Sequence, residues 1–338
     1  MAKLDIGIDL GTTSVIIYIY GKGIVLREPS VIAYNVHTKE IVAVGTEARE
    51  MLGKAPDYIN VVKPLENGVI SDFDAAIEML KIFVKRVTRS FLFKPRIAVC
   101  IPSAVTDVEQ RAIINATILT GARKVFLIQE PVAAAIGAGL DISQAKGYMV
   151  VDIGGGTTDM AVISMNGLVN SSSVKVAGNY LDEAIVNFFY KNYKVVIGEM
   201  TAEKIKREVG NLFNPNDEKA FVLKGRSILT GMPVKGNVSQ KDLYAVLSKA
   251  AAKIAEEIRS LLERTPPELA GDIFRNGILL TGGGAMLKGL DSFLSDYLGV
   301  PVKLPENPLD CVAIGTGMSF DYIDILQDGF VTPSMYKM

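Results

Sequence analysis

Histidine and cysteine are nearly absent. His37 is the only histidine in 338 residues, and it stands in a polar stretch, Asn35-Val36-His37-Thr38-Lys39-Glu40, that reads as an exposed turn. That sets aside histidine catalysis and histidine-ligated metal sites. The only two cysteines, Cys100 and Cys311, lie in apolar surroundings far apart in the chain. This usage fits a reduced, intracellular protein better than a disulfide framework, and neither reads as a nucleophile. There is no excess charge either: 36 Lys and Arg meet 37 Asp and Glu, for a formal net charge of −1. Without a basic arm, nucleic acid is not an expected partner. No apolar run approaches the roughly 18 to 20 residues that cross a bilayer. The first strand is expected to begin by about Leu4, leaving no room for a secretory signal. The expected location is therefore cytoplasmic, with any membrane contact peripheral. Also missing is a phosphate loop ending in Gly-Lys-Ser/Thr, which argues against the single-loop nucleoside triphosphatase architecture.

What the chain does contain is a repeated loop. Asp9-Leu10-Gly11-Thr12-Thr13 and Asp152-Ile153-Gly154-Gly155-Gly156-Thr157-Thr158 each follow one apolar strand-like run and precede another. A second hairpin signal comes after each copy, at Gly21-Lys22-Gly23 and at Asn166-Gly167, so the repeat is a supersecondary unit. A tight turn between strands exposes backbone N–H groups that no ladder uses, and glycine admits a phosphate oxygen close to them. Two such turns facing each other could grip a polyphosphate, with Asp9 and Asp152 holding a hydrated Mg²⁺. The plain alternative is a pair of ordinary hairpins.

At 49% apolar and 22% charged residues, the chain is globular and long enough for two domains. The spacing predicts an amphipathic helix from Asp72 to about Arg89 and a buried strand over 96–101. Thr106 with Glu109 forms a capping box for a helix ending near Gly121. A strand over 125–128 runs into Gln129-Glu130-Pro131 and an alanine-rich helix. In the second half, helices are predicted from Leu181 to Tyr193, from a Thr201 cap onward, and from Gln240 to Glu263, where Pro266-Pro267 stops the last. A β-rich patch with turns at Gly225, Gly231 and Gly236 separates the latter two. A strand over 277–280, the turn Thr281-Gly282-Gly283-Gly284-Ala285, a helix from Met286 to Leu298 and a final helix from about Asp310 to Leu326 complete the chain. The triple-glycine turn with a helix start is a second type of cradle, suited to a nucleoside beside the polyphosphate. Glu203, Lys206 and Arg207 could add polar contacts to ribose and base, or simply form a solvated face.

Two Asp-x-Gly-Thr-type loops, a Glu-Pro helix start between them and a late triple glycine are similar to the actin, sugar kinase and heat-shock chaperone superfamily. Within it, Gly7 to Thr12, Glu28-Pro29-Ser30-Val31, Gly68-Val69-Ile70, Glu130 to Gly137, Val151 to Asp159, Glu263 to Leu269, Leu280 to Ala285 and Asn307-Pro308-Leu309 resemble the MreB/Mbl family of bacterial rod-shape actins over essentially the whole chain. The chain departs at Thr13-Ser14, where that family commonly has Ala-Asn.

The resemblance implies an α/β, actin-like fold of duplicated, ribonuclease H-like domains with mixed sheets. Residues 1–140 with 313–338 would form one domain, with an insertion at about 30–64. Residues 141–312 would form the other, with an insertion at about 181–249. ATP and Mg²⁺ would lie in the interdomain cleft, and the chain would be an ATPase. Asp9 and Asp152 would hold Mg²⁺ through water, and Thr12, Thr13, Ser14, Gly154, Gly155, Gly156 and Thr157 the phosphates. Glu203, Lys206, Arg207, Gly282, Gly283, Gly284 and Ala285 would face the nucleoside. Glu130, helped by Thr157 and Asp152, would position the attacking water. Partners would be further copies of the chain in filaments, the cell-wall elongation machinery, and the inner membrane surface, touched through the apolar loop Phe91-Leu92-Phe93. A small-molecule kinase or a nucleotide-gated scaffold of the same superfamily are the alternatives.

Overall fold

The computed structural model describes residues 4–88, 94–213, 220–323 and 330–331. Phe91, Leu92 and Phe93 lie outside them. The repeat seen in the loops extends to the sheets. In the first sheet the strand order is Phe330–Val331, Lys124–Gln129, Arg96–Ile101, Asp5–Leu10, Ser14–Ile19, Gly23–Pro29. In the second it is Gly167–Val174, Thr158–Ser164, Tyr148–Ile153, Ile278–Thr281, Val302–Lys303. Each has a central strand, Asp5–Leu10 or Tyr148–Ile153, that pairs antiparallel with the next strand in sequence and parallel with a much later one. These strands are apolar on both faces, which demands helices on both sides.

The helices meet that demand in three layers. Phe73–Thr88 and Asp107–Leu119 cover the outer face of the first sheet, packing Phe83 and Ile113 onto Ile6 and Val99. Gly178–Phe188 and Gln240–Glu263 cover the outer face of the second, through Leu181, Ile185, Leu247 and Ile254. The layer between the sheets is made by Glu130–Gly137 and Cys311–Met318, whose Ala133, Ile136 and Val312 join Ala98 and Phe126 of one sheet to Val150 and Ala161 of the other. Two small three-stranded sheets, Ile41–Val44 with Ile32–Asn35 and Ile59–Val62, and Val195–Val196 with Ala220–Ser227 and Pro233–Ser239, sit beside the large ones.

The two middle helices cross backbone to backbone. A Cβ added at Gly315 would lie 2.8 Å from the Gly137 N, and one added at Gly137 2.8 Å from the Gly315 N. Replacing Gly315 with Ala is therefore expected to destabilise the nucleotide-free chain by about 3 kcal/mol, because neither backbone can yield without moving a sheet. Gly271, inside the Pro267–Asn276 helix with nothing near its Cβ direction, is the control. Gly271→Ala should stabilise by up to about 1 kcal/mol. Urea unfolding of both variants checks the contrast.

Several local expectations change. The Thr106–Glu109 capping box forms on both sides, and the long helix spans Gln240–Glu263 with a second box, Ser239–Asp242. The 199–209 helix, however, starts after Gly198, so Thr201 lies within it and does not cap it. Gly225 and Gly236 lie inside strands; only Gly231, at φ 72°, turns the chain. Gly225 is needed because a side chain there would run into Val195 and Val196 of the adjoining strand. The helix expected from Leu181 ends at Phe188 and widens into a π-helical turn over Phe189–Tyr193. A helix over Pro267–Asn276, unforeseen, begins at the second proline of the pair. The final helix is shorter than expected, Cys311–Met318, followed by a 3₁₀ turn at Ser319–Asp321.

Candidate functional site

The two repeated turns meet tip to tip where the large sheets face each other. The first spans 11–13 between paired Leu10 and Val15; the second spans 154–157 between paired Ile153 and Thr158. Their glycines permit the meeting, since a Cβ at Gly155 would lie 2.8 Å from the Cβ of Thr13 and one at Gly156 3.0 Å from that of Thr12. Among the described residues, no internal acceptor takes the N–H groups of Thr12, Thr13, Gly155 or Gly156. Four unpaired donors at one spot suit an anion of several oxygens. The Thr12 hydroxyl accepts from the Gly68 N–H at 3.0 Å. Gly68 belongs to a hairpin turn with Asn67 and Gly68 both at positive φ, and it lies against Thr157. Asn67 and Gly68 thus form part of the cleft floor, which their short strands, Leu65–Glu66 and Val69–Ile70, made hard to foresee.

Beneath the turns lie four carboxyl groups. Asp9 ends the first central strand and Asp152 the second, while Glu130 opens the alanine-rich helix between the sheets. Asp159, which the sequence reading did not assign a role, faces Asp152 across the hairpin and accepts a hydrogen bond from the Ser103 N–H at 2.7 Å. Ser103 follows a strand of the first sheet, so this bond ties the two halves together. Burial drives all four pKa values up. Asp9 rises to about 6, with a Cys100 thiol bond and Arg27 opposing the rise. Asp152 rises to about 7, opposed by the Thr281 hydroxyl and reinforced by Asp9 and Asp159. Glu130 rises well above the usual carboxylate range through burial and the charges of Asp159, Asp152 and Asp9. Asp159 rises by burial, countered by the Ser103 N–H and the Thr157 and Ser173 hydroxyls. A cation above such a group would favour its charged forms. Among the described residues, no three His, Cys, Asp or Glu side chains form a direct metal cage. A hydrated Mg²⁺, which needs only one or two carboxylates, remains compatible.

The rim is more varied. Glu203, Lys206 and Arg207 share the Glu199–Val209 helix. Lys206 donates to the Gly178 carbonyl at 2.8 Å and pairs with Asp182 at 2.9 Å. Since Gly178 N–H bonds the Gly154 carbonyl, that lysine braces the second turn from behind. Glu203 pairs with Arg49 of the first small sheet's helix and, at 3.9 Å, with Arg207. Lys63 and Glu199 form another bridge between the two small subdomains. On the opposite side, Gly282, at φ 85°, and Gly284 pack on Ile153 just before the second turn. Ala285 is buried, and Gly283 touches Leu309. The chain continues there as a 3₁₀ turn, Gly284–Met286, and the helix begins only at Leu290 after left-handed Gly289. The triple glycine is therefore a backbone surface without a long helix start behind it. Ser14 opens the second strand and is only partly exposed.

A family model described as MreB/Mbl protein matches residues 3–328. The chain belongs to the MreB/Mbl family of cell shape-determining bacterial actins. The cell shape-determining protein Mbl of Bacillus subtilis is 48% identical over 96% of this chain and 98% of its own. The cell shape-determining protein MreB of Escherichia coli K12 is 46% identical over 96% and 95%. MreB5 of Spiroplasma citri bound to AMPPNP superimposes with a TM-score of 0.91 at 39% identity, covering 96% of this chain and 98% of that one. A MamK chain from a double helical filament shares the fold with a TM-score of 0.81 at 22% identity. The two mixed sheets with their flanking helices are thus the actin-like fold of this family. Among the described residues no helix is long and apolar enough to cross a membrane.

Proposed function

We propose that this MreB/Mbl protein binds Mg²⁺-ATP between its two sheets, hydrolyses it, and assembles into filaments at the inner face of the membrane that direct cell-wall synthesis and set rod shape. The observation that carries the reading is the pair of touching glycine turns, with four unpaired N–H groups, above the buried carboxyls of Glu130, Asp152 and Asp159 and the half-buried Asp9. The AMPPNP and ADP held by Spiroplasma citri MreB5 support the nucleotide class, and the MamK filament supports assembly.

On this reading Thr12, Thr13, Ser14, Gly154, Gly155, Gly156 and Thr157 hold the phosphates. Glu203, Lys206, Arg207, Gly282, Gly283, Gly284 and Ala285 face the nucleoside. Asp9 and Asp152 hold Mg²⁺ through its waters, and bound Mg²⁺ would neutralise phosphate charge. Glu130 receives no hydrogen bond from the described residues, so its carboxyl is free to orient a water, with Thr157 beside the same floor. The two domains would be 1–140 with 313–338 and 141–312.

The test is electron microscopy and liposome co-sedimentation of the purified chain with Mg²⁺ and ATP. Filaments that pellet with liposomes are expected. A Phe91→Ser, Phe93→Ser variant should assemble yet leave the liposomes, since three apolar side chains contribute at most roughly 5 to 9 kcal/mol per subunit and attachment relies on many subunits together. No assembly under any nucleotide condition would overturn the reading; filaments of the variant that still bind lipid would remove the loop from it.

A further inference from the structure

The two candidate Mg²⁺ anchors are each held from the same side by the neighbouring parallel strand. On the second sheet, Thr281 is level with Asp152 in the ladder, and its hydroxyl donates to Asp152 Oδ1 at 2.7 Å in full burial. On the first sheet, Ile8 pairs with Val99, which puts Cys100 level with Asp9, and its thiol donates to Asp9 Oδ1 at 3.2 Å. In both cases no described residue bonds the carboxylate's second oxygen. The duplicated unit therefore repeats an orienting donor along with its aspartate.

The donors differ in strength. A hydroxyl to a carboxylate at this length is among the strong, charge-assisted bonds, whereas a thiol is a weak donor. The strand on the other flank differs as well: Asp152 faces Asp159, but Asp9 faces Ile16. We propose that Thr281 is a positioning residue for the Mg²⁺-nucleotide, locking Asp152 in one orientation, while Cys100 holds Asp9 more loosely, so that Asp152 is the fixed anchor and Asp9 the adjustable one. This rests on the nucleotide-binding reading above. Partners that orient a ligand from behind are commonly worth 10- to 100-fold in metal affinity.

The test measures AMPPNP binding by calorimetry at stepped Mg²⁺ concentrations, with nucleotide-free melting as the check on folding. Thr281→Val keeps the shape and loses the donor, and should raise the Mg²⁺ concentration for half-maximal binding about 10-fold or more. Thr281→Ser keeps the donor and should stay within about threefold of the parent, with Thr281→Cys in between. Cys100→Ala should also stay within about threefold. If Thr281→Val does not fold, the order of Ser before Cys decides the matter. A flat series, or Ser failing together with Val, overturns the positioning role; Cys100→Ala costing as much as Thr281→Val overturns the ranking. A parent chain that shows no Mg²⁺-dependent AMPPNP binding overturns the nucleotide reading itself.

Discussion

Glu130→Gln is expected to slow ATP hydrolysis by about 10²-fold or more while leaving AMPPNP affinity within a few-fold of the parent. In phosphoryl transfer the protein positions the nucleophile and stabilises charge, so removing a water-orienting carboxylate lowers the rate without removing ground-state contacts. The residue stands at the first turn of the helix between the sheets, buried, with the charges of Asp159, Asp152 and Asp9 around it. The same substitution removes one acid from a crowded, buried group, so the nucleotide-free variant should melt higher than the parent. A merely structural glutamate at a helix start would give the opposite pair of results: parent-like hydrolysis and a loss of the favourable dipole contact. Phosphate release and thermal melting on one preparation separate the two.

The second large effect is on stability against pH. Asp9 and Asp152 have folded pKa values near 6 and 7, both raised by burial from an ordinary 3.8. A raised acid binds its proton more tightly in the folded state, so its stabilising contribution is complete below about pH 4 and is lost as pH climbs through the folded value. From these two groups, the nucleotide-free chain should lose stability between about pH 4 and pH 7, most steeply from about 4.5 to 6, where both acids are protonated in the folded chain and ionised in the unfolded one. A shift of the size seen at Asp152 corresponds to up to about 4 kcal/mol, at roughly 1.4 kcal/mol per pH unit. Asp152→Asn, which keeps an acceptor for Thr281, should therefore raise the nucleotide-free melting temperature at pH 8 and flatten the profile between pH 5 and 8. Mg²⁺ with nucleotide should flatten the parent's profile too, by favouring the charged form. A parent whose melting temperature rises steadily from pH 5 to 8 would show that these carboxyls are not the ones that set it.

Much of this molecule was readable without coordinates, because its signals are local. Thr106 with Glu109, the apolar stripe from Leu243 to Leu261, and the Asp-x-Gly-Thr loops each carry their meaning within a few residues. The parts that escaped depend on partners distant in sequence. Gly225 reads as a turn until the strand at Val195 is seen to press on it. Pro266-Pro267 reads as a stop, although the second proline also suits the first turn of the next helix. Asp159 has a role only through Ser103, which the packing of one sheet against the other brings to it, and Cys100 only through Asp9, its neighbour by strand register. Lys206 was placed beside the nucleoside by the family resemblance; its bonds to Gly178 and Asp182 become visible only once two helices are packed together.

The contact of Gly137 with Gly315 also bears on rates. Where two helices interlock through long side chains, any relative rotation must first disengage them, and each rotamer exchange adds to the barrier. Here the two glycines add no side chain where the backbones cross, so any pivot about that point would have to slide only the flanking Ala133, Ile136 and Val312 against the sheets. The slow step in any opening would then reside in the bonds that span the cleft, namely Ser103 to Asp159, Arg49 to Glu203 and Lys63 to Glu199. On this account the time the cleft stays shut would be set by its walls and contents as well as by the packing of the two middle helices.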